Sequence, residues 1–396
     1  MNAHSPTPSR ILRRPAAERS ETRDAARSKA PSGDAIRVMI VDDSLTVRTV
    51  LKRIVESDSA MEVTATASSG ERAIAQLKAT PVDVMLLDLE MPGMGGLEAL
   101  PAILNLAPDT QVLVVSSLTE DGAEATVEAL STGAADTMLK PRPGGFNDDY
   151  RSQLLGKIRA LGGKGENSAA SDGSSAVSAR PDTQRRAVQP ELIAIGASTG
   201  GIHALNLMLR ELSPEMDLPI LITQHLPSSF IPVFARQIEV ASGRPTHIAD
   251  DGTEIRKGEV AIATGHGHMD IRRTGDRLVA RISSEPARSG CLPSVDPMLR
   301  SASDACNGRV LAVILSGMGR DGIEGVEHLI EAGGTVWTQN ADTSAVWGMP
   351  GAVTKAGFSS YVASPNELGA ALMAQLVPGS CAAHQGEDGL PETADT

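Results

Sequence analysis

The chain has 396 residues, enough for two or three domains, with 41% hydrophobic residues, two Trp, two Tyr, four Phe and a net charge of -13. That acidity excludes a protein built to hold duplex DNA, because phosphate affinity needs clustered Lys and Arg. No run approaches the ~18 apolar residues of a membrane span, and no apolar stretch of signal-peptide type opens the chain.

Three widely separated cysteines, Cys291, Cys306 and Cys381, show no metal-ligand spacing and point to a reducing compartment. A cytoplasmic protein is therefore expected, with no nucleic acid partner and no membrane insertion. With so few aromatics, core volume must come from Val, Ile, Leu, Ala and Met, as in parallel sheets buried on both faces.

Residues 1–34 are rich in Arg, Ser, Pro and Ala without a structural period, and are read as a disordered basic arm. The first domain spans 35–161. Apolar runs predict strands at 36–41, 61–66, 82–87, 111–115 and 134–139, with helix-period segments at 45–56, 71–78, 97–104, 124–131 and 153–160. Five strands alternating with five helices describe a doubly wound, flavodoxin-like α/β sheet. From 162 to 189 the composition turns to Gly, Ser and Ala, a flexible linker. A second α/β domain at 190–378 carries predicted strands at 192–195, 219–223, 260–263, 278–282 and 310–315. Its helices are expected to begin near Gly201, Phe230, Val295, Gly322 and Glu367. This domain reads as Rossmann-like and three-layered, and 379–396 reads as a disordered acidic tail.

In the first domain Asp42 and Asp43 follow the first strand, Asp88 the third, Ser116 the fourth and Lys140-Pro141 the fifth. Strand ends of an open parallel sheet meet in one crevice, and three carboxylates gathered there repel one another unless a hard cation such as Mg²⁺ joins them. Singly, each is an ordinary strand-end residue; together they resemble the receiver domain of two-component response regulators. That resemblance implies phosphorylation of Asp88 by a histidine kinase, a Mg²⁺ pocket formed by Asp42, Asp43 and Asp88, and supporting roles for Ser116 and Lys140. The chemistry agrees, since a carboxylate can accept a phosphoryl group and a lysine can pair with the new dianion.

In the second domain Ser198 stands in Ile195-Gly196-Ala197-Ser198-Thr199-Gly200-Gly201, a small-residue turn between a strand and a helix. A serine there is pushed out beside backbone N–H groups, as a nucleophile requires, although Ser before a helix is also an ordinary N-cap. His225 follows the strand at 219–223, and Asp321 follows the strand at 310–315, just before a helix expected at Gly322. Serine, histidine and aspartate thus fall on one sheet edge, in an order that differs from the Ser, Asp, His order of the α/β-hydrolase elbow. His266 and His268 invite a metal reading, but no third ligand accompanies them, and the segment reads as a tight hairpin.

These three segments, with Pro293-Ser294-Val295-Asp296 and Ala345-Val346-Trp347-Gly348-Met349-Pro350-Gly351, resemble the catalytic domain of the chemotaxis protein-glutamate methylesterases. One local departure is Asn340-Ala341-Asp342 after Gln339, where that family carries acidic residues. The resemblance implies Ser198 as nucleophile, His225 as general base and Asp321 as orienting acid, with no cofactor in this domain. It also implies methylated chemoreceptor cytoplasmic domains as substrate and receptor glutamines as a second, deamidated substrate. The N–H of Thr199, with Met318 or Gly319, is the expected oxyanion site. The competing expectation is a response regulator whose second domain is a non-catalytic, phosphorylation-controlled binding module.

Overall fold

The structure, a computed structural model, describes residues 35–116, 119–141, 145–163, 189–213 and 215–376. The expected arm at 1–34, nearly all of the linker and the tail at 379–396 lie outside the described residues.

Every predicted element of the first domain forms. Strands β1 (Ile36–Val41), β2 (Met61–Ala67), β3 (Val84–Leu87), β4 (Gln111–Ser116) and β5 (Asp136–Leu139) pair in the order β2-β1-β3-β4-β5, all parallel. Helices α1 (Leu45–Val55), α2 (Gly70–Leu77), α3 (Gly96–Leu106), α4 (Glu120–Thr132) and α5 (Asp148–Gly162) cover its two faces. Successive strand residues point to opposite faces. Val38, Ile40, Val84 and Leu86 therefore bury against α1 and α5, and Met39, Val41, Met85 and Leu87 against α2, α3 and α4. Helix α5 runs on through Gly162, the first residue of the expected linker.

The second domain holds a seven-stranded parallel sheet. Its strands are β6 (Leu192–Ala197), β7 (Ile220–Gln224), β8 (Thr246–Ala249), β10 (Val260–Ala263), β13 (Val310–Ile314), β14 (Thr335–Gln339) and β15 (Tyr361–Ala363). The order is β15-β14-β13-β6-β7-β10-β8, so the winding reverses around β6 and β13 at the centre. Ligands bind at such switch points in open α/β sheets. One face carries α6 (Gly201–Leu209), α7 (Ile231–Ser242) and α11 (Pro365–Leu376); the other carries α8 (Val295–Cys306), α9 (Ile323–Glu331) and α10 (Met349–Lys355).

Two expectations are corrected. The strand predicted at 278–282 does not join the parallel sheet: as β12 (Arg277–Ser283) it pairs antiparallel with β11 (His268–Thr274) and β9 (Glu254–Ile255) in a separate three-stranded sheet. The segment around His266 is accordingly no hairpin, because it leads from β10 in one sheet to β11 in the other. Alternation of apolar and charged residues in β12, with Leu278 and Ala280 buried and Arg277 and Arg281 exposed, is the mark of a sheet wet on one face.

The first domain packs its α4 edge on the second. Helix α4 touches both α6 and α7, and a single buried apolar cluster runs from Val127 and Leu130 to Leu205 and Phe230. Glu124 pairs with Arg236 at 2.6 Å.

Candidate active site

Ser198 leaves the end of β6 in a turn whose shape depends on glycine. Gly200 is the N-cap of α6 with φ +78, a left-handed conformation that a side chain resists, and a Cβ there would stand 2.6 Å from Ser316 Oγ. The cap is Gly200, so Ser198 is not spent as an N-cap. Its own N–H donates to the Ser316 carbonyl at 3.0 Å, and the Ser316 hydroxyl donates to the Thr199 carbonyl at 2.7 Å. These bonds tie the ends of β6 and β13. Gln224 ties in β7, donating to the Ser198 carbonyl at 2.9 Å, while the His225 N–H donates to the Ala197 carbonyl at 3.1 Å.

His225 and Asp321 meet directly, Nε2 to Oδ2 at 2.8 Å. Asp321 is buried and takes two further bonds, from Ser294 Oγ at 2.6 Å and from the Val295 N–H at 2.7 Å. Gly322 is the N-cap of α9, which leaves both Asp321 oxygens to these partners. Burial opposes a charge on either group. The hydrogen bond and charge attraction between them, together with Cys291 beside His225 and Ser294 beside Asp321, outweigh it, so the imidazole is raised and the carboxyl lowered, and the pair stabilises the imidazolium that forms when His225 takes up a proton.

Among the described residues no hydrogen bond joins Ser198 Oγ to His225, and the N–H groups of Thr199, Met318 and Gly319 have no acceptor. Three neighbouring strand ends thus carry a hydroxyl, an acid-held imidazole and free donors at one edge of the sheet, groups of the kind acyl transfer uses. Several participants escaped the sequence reading as site residues. Ser294 caps α8 and also holds Asp321, and its N–H donates to Nδ1 of the buried His268 at 2.9 Å. His268 Nε2 is held by the Glu285 carbonyl at 2.9 Å, so both ring nitrogens serve structure. The Asn340-Ala341-Asp342 departure forms a self-contained turn, with Asn340 Oδ1 accepting from the Thr343 N–H at 3.1 Å.

The first domain reaches this turn. The Gly200 N–H donates to the Ala135 carbonyl, the Thr199 hydroxyl donates to Asp136 Oδ2 at 2.6 Å, and His203 Nδ1 is 2.9 Å from the Ser131 carbonyl. Asp136 is also paired with Lys157 at 2.5 Å.

At the opposite edge of that domain, Asp42, Asp43 and Asp88 bring carboxylate oxygens within 4.8 Å of one another. Lys140 Nζ lies 2.6 Å from Asp88 and 3.1 Å from Asp42. Burial, only partly offset by Lys140 and reinforced by Asp42, pushes the Asp88 carboxyl up to about 6. The buried Asp42 Oδ2 has only the Lys140 ammonium beside it, and the buried Ser116 hydroxyl finds no partner. An oxygen-only donor set of three converging carboxylates, outnumbering the single lysine among them, fits Mg²⁺.

The sequence matches the CheB methylesterase family over residues 193–372 and the response regulator receiver domain over 38–145. It is 41% identical over 362 residues to the protein-glutamate methylesterase/protein-glutamine glutaminase 1 of Paramagnetospirillum magneticum, covering 85% of this chain and 94% of that protein. Similar proteins carrying the same activity names occur in Azospirillum brasilense, at 39% identity with 86% and 92% covered, and in Caulobacter vibrioides, at 40% with 84% and 97% covered. None of the helices among the described residues is long and apolar enough to cross a membrane.

Proposed function

The chain belongs to the CheB methylesterase family, with a receiver domain ahead of the catalytic one, and on that premise we propose that it is a phosphorylation-activated serine hydrolase. Its substrates are glutamate methyl esters on chemoreceptor cytoplasmic domains, releasing methanol, and receptor glutamines, releasing ammonia. The observation that carries this reading is the buried Asp321 holding His225 at the strand end beside Ser198. The non-catalytic alternative finds no support in relatives named as methylesterase and glutaminase.

In the reaction, Ser198 Oγ attacks the ester carbonyl and His225 takes its proton, with Asp321 stabilising the imidazolium. Nε2 is occupied by Asp321, which leaves Nδ1 as the acceptor. The N–H of Thr199, with that of Met318 or Gly319, receives the oxyanion. The imidazolium returns its proton to the departing methoxide. Water, activated by the same imidazole, then cleaves the acyl-enzyme and regenerates the hydroxyl.

Ser294 acts through Asp321 rather than on substrate. Ser294→Ala is expected to lower kcat about tenfold with KM nearly unchanged, in line with losses at residues that orient a reacting group. A kcat equal to the parent's in ester hydrolysis assays would remove Ser294 from that role.

Control comes from the first domain. The Asp88 carboxylate attacks the phosphoryl group of a phosphohistidine on the kinase, and Lys140 pairs with the added charge. Asp42, Asp43 and Asp88 would hold Mg²⁺, which screens phosphoryl charge when bound. The contacts from Ala135 and Asp136 to the Ser198 turn support a resting state in which the catalytic turn is held and covered. A change of a few kcal/mol in that interface is enough to shift the population to a released state. The test is methanol release from methylated receptor membranes, expected to rise about tenfold or more when a small phosphodonor and Mg²⁺ are added. No release in either condition would overturn the reading.

A further inference from the structure

Cys291 lies beside the catalytic pair, and the mechanism leaves it unused. An imidazole nitrogen of His225, the Cys291 sulfur and a carboxylate oxygen of Asp321 all lie within 4.8 Å of one another. Such spacing needs only small side-chain movements to bring the three onto one ion at bond lengths of about 2.0–2.3 Å. The loop carrying the thiol is anchored. The Cys291 N–H donates to Ser289 Oγ at 3.3 Å, and that hydroxyl donates to Ser294 Oγ at 3.3 Å, the same Ser294 that holds Asp321. Beside its approach to His225, the thiol makes one long hydrogen bond, 4.0 Å to the Ser289 carbonyl, and it is half-buried, so an ion has an entry path.

We propose that His225, Cys291 and Asp321 form a Zn²⁺ site, with water as the fourth ligand, and that zinc there is a reversible inhibitor. One imidazole nitrogen, one thiolate and one carboxylate oxygen suit a tetrahedral, borderline-soft cation, and three protein ligands with one open position are a familiar zinc arrangement. Mg²⁺ does not compete, because it demands oxygen ligands and keeps to the acidic pocket around Asp88. On binding, the thiol proton and the proton on the coordinating nitrogen leave to solvent, and three metal–ligand bonds form without any redox change. The metal then occupies the imidazole and its carboxylate. Inhibition follows from this only if His225 is the general base, as the proposed function holds; the binding itself does not depend on that reading.

Other histidines do not offer the same set. Both nitrogens of the buried His268 are hydrogen-bonded, and His266 is engaged by the Thr264 hydroxyl. Cys306 is buried behind α8, with its sulfur beside Arg273, and provides an internal control.

The experiment uses the full chain with excess Mg²⁺ present. Co²⁺ is added as a spectroscopic stand-in for Zn²⁺, and equilibrium dialysis measures Zn²⁺ stoichiometry and affinity. One Zn²⁺ per chain is expected, with tetrahedral Co²⁺ bands and a thiolate-to-cobalt charge-transfer band that Zn²⁺ erases. Cys291→Ser should abolish the charge-transfer band and weaken Zn²⁺ binding about tenfold or more, whereas Cys306→Ser and Cys381→Ser should keep both. A charge-transfer band or zinc affinity that survives in Cys291→Ser overturns the site, as does the absence of a stoichiometric ion. Ester hydrolysis by the parent is expected to fall with zinc occupancy and to recover with a chelator, each variant being compared with its own zinc-free rate. Zinc bound through Cys291 with hydrolysis unimpaired would uphold the site and overturn His225 as the base, so the two failures are told apart.

Discussion

Ser198→Ala is expected to lower ester hydrolysis by about 10⁴-fold or more, the scale on which serine hydrolases lose turnover when the nucleophile is removed. Without Oγ there is no acyl-enzyme. The remaining machinery, a polarising crevice and an imidazole, could only assist water directly. The substitution should not disturb the fold, because the turn is held by main-chain and neighbouring bonds: Ser198 N–H to the Ser316 carbonyl, Gln224 to the Ser198 carbonyl, and Ser316 Oγ to the Thr199 carbonyl. The serine hydroxyl takes no part in that stitching. Methanol release and labelling by a fluorophosphonate probe measure the loss, while acyl-phosphate formation on Asp88 should be unchanged. More than about 1% residual turnover would exclude Ser198 as nucleophile, since oxyanion stabilisation and binding alone leave far less.

Asp88→Ala should abolish acyl-phosphate formation and with it the whole of the phosphodonor response, leaving the unstimulated rate. The geometry makes the loss specific. Asp88 sits at the tip of β3 with Lys140 2.6 Å away, while Asp42 keeps its own contact to the same ammonium at 3.1 Å. Removing one of two buried carboxylates that crowd a single lysine relieves like-charge repulsion and leaves the ion pair with Asp42 intact, so the domain should remain folded. Phosphorylation with a small donor in Mg²⁺, followed by methanol release, gives both readouts. Undiminished acyl-phosphate in this variant would move the phosphoacceptor elsewhere.

Much of this was legible in the chain because buried parallel strands are plain apolar runs. The runs ending at Leu87, Ile195, Thr223 and Leu315 therefore place Asp88, Ser198, His225 and the Asp321 loop at sheet edges, within two residues of where the strands end in the structure. What stayed hidden lacks such a signal. Strand β8, Thr246–Ala249, and strand β11, His268–Thr274, mix polar and charged residues with apolar ones, as edge and one-sided strands do. Helix α10, Met349–Lys355, is short and contains Pro and Gly. The grip of Ser294 on Asp321 and the approach of Cys291 to His225 join segments far apart in sequence, and neither spacing nor composition reports such meetings. For the cysteine, the absence of ligand spacing was a fact about the sequence, not about the crevice.

The contact between the domains has a mechanical consequence. Strand β5 is parallel to its neighbours, so Lys140 stands at its carboxyl end beside Asp88, whereas Asp136, which holds the Thr199 hydroxyl, stands at its amino end. The two ends are separated by the length of the strand, about 13 Å at 3.3 Å per residue. On the proposed function, phosphate on Asp88 would therefore not push on the serine turn directly. It would act through a rod whose far end is hooked to that turn, with α4 alongside as a second strut joined to α7 by Glu124 and Arg236. A clamp across that strut, such as a covalent cross-link between α4 and α7, would leave both chemical sites whole and yet make the enzyme deaf to its own phosphorylation.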